Sequence, residues 1–237
     1  MEPSLSKPTG RTPPKNPGLL ALIRAKRQWC WKPTLEELRQ GFRGWHQRGY
    51  LPHFDAPGVT QILTFMLTDS FPVSRRAEWE PILRDPDGSA KRRKLEAWLD
   101  RGCGACWLRR SDVAEVVEQV LLAADGQGFR MQAWVVMPNH VHLVVDVWVV
   151  PLVKLVNGWK GKSARLANEI LGRRGPFWQE DYFDTVVRSG SHLAQAIRYT
   201  ERNPSKAALV EDPRAWLWSS ARRRDEYARL PWQRAGG

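Results

Sequence analysis

The feature that most restricts the fold of this 237-residue chain is a pair of apolar segments joined by two residues. The segments 129–137 (FRMQAWVVM) and 140–149 (HVHLVVDVWV) are rich in β-branched and aromatic residues, which favour strands. Pro138 and Asn139 alone connect them, and so short a link permits only an antiparallel hairpin. An antiparallel sheet built around this hairpin is therefore predicted.

Further strands and helices are predicted on either side of the hairpin. Residues 59–67 (VTQILTFML) have the composition of a strand, and residues 177–188 (FWQEDYFDTVVR) alternate as a fourth strand would. Three segments carry apolar residues at helical spacing and end at a glycine or before a proline: 111–126, 151–172 and 191–203. In the last of them, Ser191 is the predicted N-cap and Pro204 marks the predicted end.

The resulting order of elements, β-α-β-β-α-β-α, indicates an α+β fold with a ferredoxin-like βαββαβ antiparallel sheet and a C-terminal helix. A charge-rich helical insertion is expected at residues 70–110, after the first strand. Upstream, Thr34 and Glu37 form a predicted capping box that opens a short helix in TLEELRQGFRGWHQRG, and YLPHFDAPG is predicted to be a loop.

The outer limits of the folded region are predicted from composition. The first residues are rich in Pro, Lys, Ser and Thr and have no apolar periodicity, which is typical of a disordered arm. We expect a basic arm at 1–33, a folded domain at 34–225 and a basic tail at 226–237.

The charge of the chain indicates a polyanionic partner. There are 37 Lys and Arg residues against 25 Asp and Glu, a net charge of +12, with dense basic clusters at 91–94 and 222–224. Nucleic acid is the expected partner. The three cysteines are too few for a disulfide framework, and no apolar run has the length of a membrane span. We therefore expect a cytoplasmic protein that does not contact a membrane.

Two histidines open the second strand of the hairpin. Because side chains alternate along a strand, His140 and His142 share one face while Val141 and Leu143 lie on the other. Neutral ring nitrogens from both histidines could hold one divalent cation. The alternative is a half-exposed strand that carries two ordinary histidines.

The last predicted helix carries a second polar pair. Leu193 and Ala196 begin an apolar stripe along it, which leaves Tyr199 beside the stripe with Asn203 one turn further on. A phenol and a carboxamide could thus be presented together to the histidines. The alternative is a tyrosine at the boundary of the core, with its hydroxyl in water.

Together these motifs resemble the single-tyrosine HUH transposases, in particular the REP-associated tyrosine transposases. The resemblance extends from about Arg43 to Ala221. Its most specific parts are MPNHVH at 137–142 and YTERNP at 199–204, in this order. Further matching segments are GFRGWHQRGYLPHFD, PFWQEDYFDTVVR and WLWSSA.

The resemblance implies a catalytic domain that cuts and rejoins single-stranded DNA, with hairpin-forming repeats as the expected substrate. It implies that His140, His142 and Asn203 bind a divalent cation, Mg²⁺ or Mn²⁺. It also implies that Tyr199 is the nucleophile and forms a 5′-phosphotyrosine. Met66 departs from the family's pattern, because an arginine usually follows Thr-Phe in the first strand. The base that deprotonates the tyrosine, and the choice between monomer and homodimer, stay open.

Other residues support weaker hypotheses. Three basic residues and one aromatic residue are predicted to contact DNA: Lys160, Lys162, Arg188 and Trp178. One alternative function is a non-catalytic, ferredoxin-like nucleic-acid-binding protein, which would use exposed aromatic residues on its sheet. Another alternative is a structural zinc site that joins Cys103 and Cys106 to the two histidines.

Overall fold

The structure, a computed structural model, describes residues 32–48, 51–85 and 87–224. The predicted tail lies outside these ranges, as does the predicted arm apart from its last two residues. The helices are α1 (Leu35–Gln40), α2 (Arg76–Leu83), α3 (Gly88–Asp100), α4 (Ser111–Leu122), α5 (Leu152–Ile170) and α6 (Gly190–Lys206). The strands are β1 (Gly44–Arg48), β2 (Leu51–Asp55), β3 (Val59–Met66), β4 (Phe129–Val136), β5 (His140–Val147) and β6 (Phe183–Val186). Within the described ranges, no helix is long and apolar enough to cross a membrane.

Four strands form the main sheet in the order β4-β5-β3-β6, and every neighbouring pair is antiparallel. Counted from β3, this is the strand order of the predicted ferredoxin-like sheet, and the fold prediction is confirmed. The Met137 N–H donates to the carbonyl oxygen of His140 at 2.8 Å, which closes the predicted hairpin around Pro138 and Asn139. The hairpin places His140 opposite Met66, the last residue of β3.

The main core lies on one face of this sheet. Val117 of α4 and Val156 of α5 belong to it and share it with Val141 and Leu143 of β5. Both helices therefore cover the face that the alternation of β5 predicted to be apolar. Their burial of apolar surface is the main stabilising contribution on this side.

The other face is covered by α6 and by the helical insertion. Ala196 of α6 packs with Ile62 and Val144. Met66 of β3 and Trp98 of α3 belong to a separate cluster beside it. All residues of β3 and β5 are buried, so the centre of the sheet is closed to solvent on both faces.

The region before β3 differs from its prediction. The capping box at Thr34 and Glu37 is confirmed, but the helix ends at Gln40 because Gly41 adopts a left-handed conformation with φ of 102°. Residues 44–48 and 51–55 then form an antiparallel hairpin, where the sequence predicted a helix and a loop. The prolines in this segment favoured the prediction of a loop. A two-stranded ribbon has only edge strands, however, and edge strands accommodate proline.

The region after α5 also differs. The fourth strand of the main sheet covers only 183–186, less than the predicted 177–188. The last helix begins two residues earlier than expected, because Ser189 rather than Ser191 is the N-cap and accepts from the His192 N–H at 3.1 Å. It also continues through Pro204 to Lys206. In the last turn of a helix, the missing proline N–H removes only one hydrogen bond.

The C-terminal residues close the outer edge of β4. Val135 forms a β-bridge with Ser219. Ser220 and Arg224 both donate hydrogen bonds to the buried carboxylate of Glu201 in α6. The helix that carries the predicted nucleophile is therefore tied to the edge of the sheet.

Candidate functional site

The two histidines of β5 face each other beneath α6. His140 Nε2 and His142 Nε2 lie 3.0 Å apart, and both residues are 1% exposed. The remaining nitrogen of each ring is also engaged. His140 Nδ1 lies 2.8 Å from Asn139 Oδ1, and His142 Nδ1 lies 2.8 Å from Thr64 Oγ1. The Nδ1 contacts thus fix the orientation of both rings, as hydrogen bonds to metal-binding histidines usually do.

The surroundings determine the protonation of this pair. Burial lowers the pKa of His140 to about 3, and the charge of Lys206 adds to the shift. Burial, His140 and nearby cations also lower the pKa of His142 well below its ordinary value. Asn139 Nδ2 donates to Cys103 O at 3.1 Å, so Asn139 Oδ1 faces His140 and accepts its Nδ1 proton. The lone pair of His140 Nε2 is therefore directed toward His142.

Helix α6 brings Tyr199 and Asn203 to the histidines. The rings of Tyr199 and His142 meet edge to face, with centroids 5.8 Å apart. The Tyr199 hydroxyl lies beside the Glu96 carboxylate and the Asn203 carboxamide, but within the described residues neither the hydroxyl nor that carboxamide forms a hydrogen bond of normal geometry. Helical spacing predicted a shared face for these two residues. The fold adds the contact between Tyr199 and His142, within a single chain.

The donor atoms suit a divalent cation. The Nε2 atoms of His140 and His142 face each other at 3.0 Å, so both could bind the same cation. Neutral imidazoles beside a carboxamide oxygen suit Mn²⁺ better than Mg²⁺, which prefers oxygen ligands. The buried and unpartnered Oδ1 of Asn203 is an acceptor that such a cation would satisfy.

The helical insertion supplies charged residues around the phenol. Burial raises the pKa of Tyr199, and the Glu96 and Asp100 carboxylates of α3 raise it further. Lys206 Nζ lies 3.1 Å from Asp100 Oδ2 and 5.2 Å from the centre of the Tyr199 ring. The phenol is therefore protonated at neutral pH. Sequence reasoning assigned no function to the insertion, whereas the structure places it beside the predicted nucleophile.

Tyr199 lines an open cavity of about 640 Å³ together with cationic residues of the same helix. The other lining residues are Arg198, Arg202, Ser205 and Lys206. Three positive charges beside a phenol form a suitable environment for a phosphate. The sequence reasoning missed Arg198, Arg202 and Lys206, although their spacing of four residues places them on one side of a helix.

The three basic residues predicted to contact DNA lie away from the histidines or at the margin of the site. Lys160 and Lys162 belong to α5, which covers the opposite face of the sheet, and Lys160 Nζ donates to the Glu180 carbonyl oxygen at 2.7 Å. Arg188 is exposed and directly precedes α6. Of these three residues, only Arg188 lies close in sequence to α6, the helix that carries Tyr199.

Trp178 is a core residue. It is 6% exposed, its Nε1–H donates to Ser163 Oγ at 3.0 Å, and its ring packs edge to face against Phe65. A ring enclosed in this way is unavailable for stacking on a base. The prediction that Trp178 contacts DNA is therefore wrong. Its side chain packs in the hydrophobic core.

The two alternative readings of the sequence lose support. Sheet-type RNA recognition needs exposed aromatic residues on the sheet, but α4, α5 and α6 cover its centre. Cys103 Sγ accepts from Arg75 Nη1 at 3.0 Å, and Cys106 Sγ contacts Gly102 O at 3.1 Å. In the part of the chain that the structure describes, no group of three or more His, Cys, Asp or Glu side chains could hold a metal. The Cys₂His₂ zinc site is therefore not formed.

Comparison with known proteins identifies the family of the central segment. Residues 107–203, which include both histidines, Tyr199 and Asn203, match the sequence model of the IS200-like transposases. The resemblance predicted from the motifs is thus confirmed for this segment. A comparison with curated proteins found no match.

Two solved structures show distant similarity. One is described as a REP-associated tyrosine transposase bound to a REP hairpin; the identity is 16%, with 78% of this chain and 85% of that chain covered and a TM-score of 0.46. The other is described as a transposase from Deinococcus radiodurans R1; the identity is 19%, with 67% and 96% covered and a TM-score of 0.35. Both similarities are too distant to carry an argument about function.

Proposed function

We propose that this protein, whose residues 107–203 belong to the IS200-like transposase family, is a metal-dependent transposase that cleaves and rejoins single-stranded DNA through Tyr199. One observation carries the proposal. The ring of Tyr199 packs against His142, whose imidazole faces that of His140, and the Tyr199 hydroxyl lies beside the carboxamide of Asn203.

His140, His142 and Asn203 would hold a divalent cation, with Mn²⁺ or Mg²⁺ as the expected metal. When bound, the cation would orient the scissile phosphate and disperse the charge that develops on it. Asn139 and Thr64 keep the imidazoles in place from their Nδ1 sides. For His142 to present its Nε2 lone pair, its proton must reside on Nδ1, and the Thr64 hydroxyl can accept it there.

The cations of α6 would bind the DNA backbone. Arg198, Arg202 and Lys206 line the same cavity as Tyr199. Charge-assisted hydrogen bonds from these side chains would place the strand across the phenol. The net charge of +12 would attract the strand before it reaches the site.

Tyr199 would act as the nucleophile. Its oxygen would form a bond to phosphorus while the bond from phosphorus to the 3′-oxygen breaks. The departing 3′-oxygen would take up a proton, which leaves a 5′-phosphotyrosine and a free 3′-hydroxyl. The phosphodiester energy is retained in this bond, so a second strand can be joined without ATP. The phenol must first lose its proton, and Glu96 of α3 is the carboxylate that we assign as its acceptor.

Covalent capture tests the proposal. The protein is incubated with Mn²⁺ and a hairpin-bearing, single-stranded oligonucleotide labelled at its 3′ end, because the 3′ fragment is the one that would stay on Tyr199. A labelled, protease-sensitive band of low mobility on a denaturing gel is the expected result. The Tyr199→Phe variant should lose this band completely and retain DNA binding.

Two controls sharpen the assay. Tyr182→Phe removes a different buried phenol and should leave the adduct unchanged. Glu96→Gln should slow adduct formation with little effect on binding. Cleavage that persists in Tyr199→Phe, or that proceeds equally well in excess chelator, would contradict the proposal.

A further inference from the structure

A second cavity lies between the helical insertion and the end of β3. Its volume is about 260 Å³, below the range of about 300 to 1,000 Å³ that is usual for drug-sized ligands. A cavity of this size suits a single ring system. Its walls are mainly apolar and aromatic with two polar side chains, and the residues that matter are Met66, Phe71, Trp79, Phe183, Gln179 and Asp181.

This cavity adjoins the candidate site. Met66 lines it and is the cross-strand partner of His140, so both side chains project from the same face of the sheet. The position where the sequence departs from the family's arginine thus forms part of an apolar wall. A strand whose phosphate lies at His140 would have a neighbouring base within reach of this cavity.

The aromatic walls are held in place by their neighbours. Phe71 meets Trp79 at a ring separation of 5.4 Å and lies parallel to the buried Trp98 at 6.3 Å. Trp79 Nε1–H donates to Pro72 O at 2.8 Å, which fixes the indole. Flat apolar walls of this kind accept a base by stacking, and they do so without distinguishing one base from another.

Two oxygen acceptors supply the selectivity. Asp181 Oδ1 lies 3.0 Å from His53 Nε2, and Asp184 Oδ1 lies 2.5 Å from His53 Nδ1, so one buried imidazolium fixes both carboxylates. Asp181 Oδ2 is left buried with no hydrogen-bond partner among the described residues. Gln179 Nε2 donates to Thr68 O, which leaves Gln179 Oε1 as a second acceptor.

The two acceptors define the chemistry of the ligand. A carboxylate repels a phosphate, so the backbone of a nucleic acid is disfavoured here and an N–H-bearing ring is favoured. Guanine presents two neighbouring donors, N1–H and the 2-amino group. Adenine and cytosine present one amino group beside an acceptor nitrogen, and thymine presents one N–H between two carbonyl oxygens. Only guanine offers two adjacent donors to Asp181 and Gln179.

We propose that this cavity binds one unpaired guanine of the single-stranded DNA, next to the scissile phosphate, with Asp181 as the residue that selects it. This inference rests on the proposed function, because that function identifies the ligand as single-stranded DNA. The pocket is built jointly by the helical insertion, the end of β3 and the segment 179–183.

Binding measurements with the Tyr199→Phe protein test the proposal without cleavage. The probes are fluorescent thymidine oligonucleotides with one central substitution: guanine, hypoxanthine, adenine or none. A bidentate base contact is worth about 1 to 3 kcal/mol, so guanine should tighten binding about tenfold over thymine. Hypoxanthine, which lacks the 2-amino group, should lose most of that gain, and adenine should show none.

Variants locate the contact. Asp181→Asn replaces the free acceptor by a donor and should abolish the guanine preference, while Trp79→Ala should weaken guanine binding by removing a wall. Asp184→Asn is the matched control, because Asp184 shares His53 but does not line the cavity. Thermal melting of each variant verifies that it folds.

The outcomes are separable from those of covalent capture. Equal affinity for all probes, no measurable binding, a preference that survives both Asp181→Asn and Trp79→Ala, or an equal loss in Asp184→Asn would each overturn the guanine pocket. A Tyr199 adduct that forms regardless would leave the proposed function intact. Guanine preference in a protein that forms no adduct would support the pocket and refute the nuclease.

Discussion

The two faces of the main sheet are both buried, but they bury different kinds of atoms. On the side of α4 and α5, Val141 and Leu143 pack in a continuous apolar core. On the side of α6, the Tyr199 hydroxyl, Thr200 Oγ1 and the carboxamide of Asn203 are buried and form no hydrogen bond of normal geometry among the described residues. A buried and unsatisfied polar group costs about 1 to 3 kcal/mol. One face therefore stabilises the fold, and the other gives up stability for the candidate site.

The apolar face should show the largest loss of stability. Leu143→Ala removes a fully buried side chain from the main core, and such truncations cost about 2 to 5 kcal/mol. The free energy of unfolding, from urea titration, measures this loss. Leu217→Ala is the control, since Leu217 is 58% exposed and should cost little. Equal losses at both positions would contradict the assignment of the core.

The polar face should instead respond to metal. Mn²⁺ at one hundred times its dissociation constant would stabilise the folded state by about 2.7 kcal/mol, seen as a rise in melting temperature. His142→Gln should remove this rise because it removes a proposed ligand. His192→Gln, which changes a histidine outside the site, should keep it. A rise that persists in His142→Gln would place the metal elsewhere.

The polar face should also respond to acid. The pKa of His140 in the folded state is about 3, below the unfolded value of about 6.5, so the unfolded chain takes up a proton first. Stability should fall by about 1 kcal/mol per pH unit as the pH drops below 6.5 toward 3. His140→Gln should reduce this dependence without abolishing it, because burial also lowers the pKa of His142; urea titration at several pH values measures the change. An unchanged slope would mean that His140 is not buried in its neutral form.

His53 should change the pH dependence of stability in the opposite way, because folding raises its pKa instead of lowering it. Burial lowers its pKa, but the hydrogen bonds to Asp181 and Asp184 raise it more, to about 9. Its contribution to stability is therefore complete below the unfolded pKa of about 6.5 and is lost as the pH rises through 9. His53→Gln should change the slope on the alkaline side only.

The smallest expected effect concerns the hydroxyl of Tyr199. Since this hydroxyl is buried beside Glu96 and Asn203 without a hydrogen bond of normal geometry, Tyr199→Phe should leave stability unchanged or raise it by about 1 kcal/mol. Thr200→Val, which removes a second unpartnered hydroxyl, should act in the same direction. A clear destabilisation by Tyr199→Phe would show that the hydroxyl has a structural partner.

Much of this arrangement could be predicted from local patterns. The alternation of β5 placed His140 and His142 on one face, and the periodicity of α6 placed Tyr199 and Asn203 on another. The same reasoning failed at residues 44–55, where prolines obscured a hairpin. It also failed at Trp178, because a single sequence does not distinguish an exposed aromatic residue from a packed one.

By itself, the sequence determined which side chains share a face, because strand and helix geometry repeat every two and every 3.6 residues. Only the tertiary structure decided which faces meet. The packing of α6 over β5 brought Tyr199 to His142, and the insertion brought Glu96 to the phenol. His53 and Asp181 are 128 residues apart in the chain, and no local pattern specifies such a pair. Contacts of this kind arise from the burial of apolar surface across the whole fold, which is a property of the packed molecule.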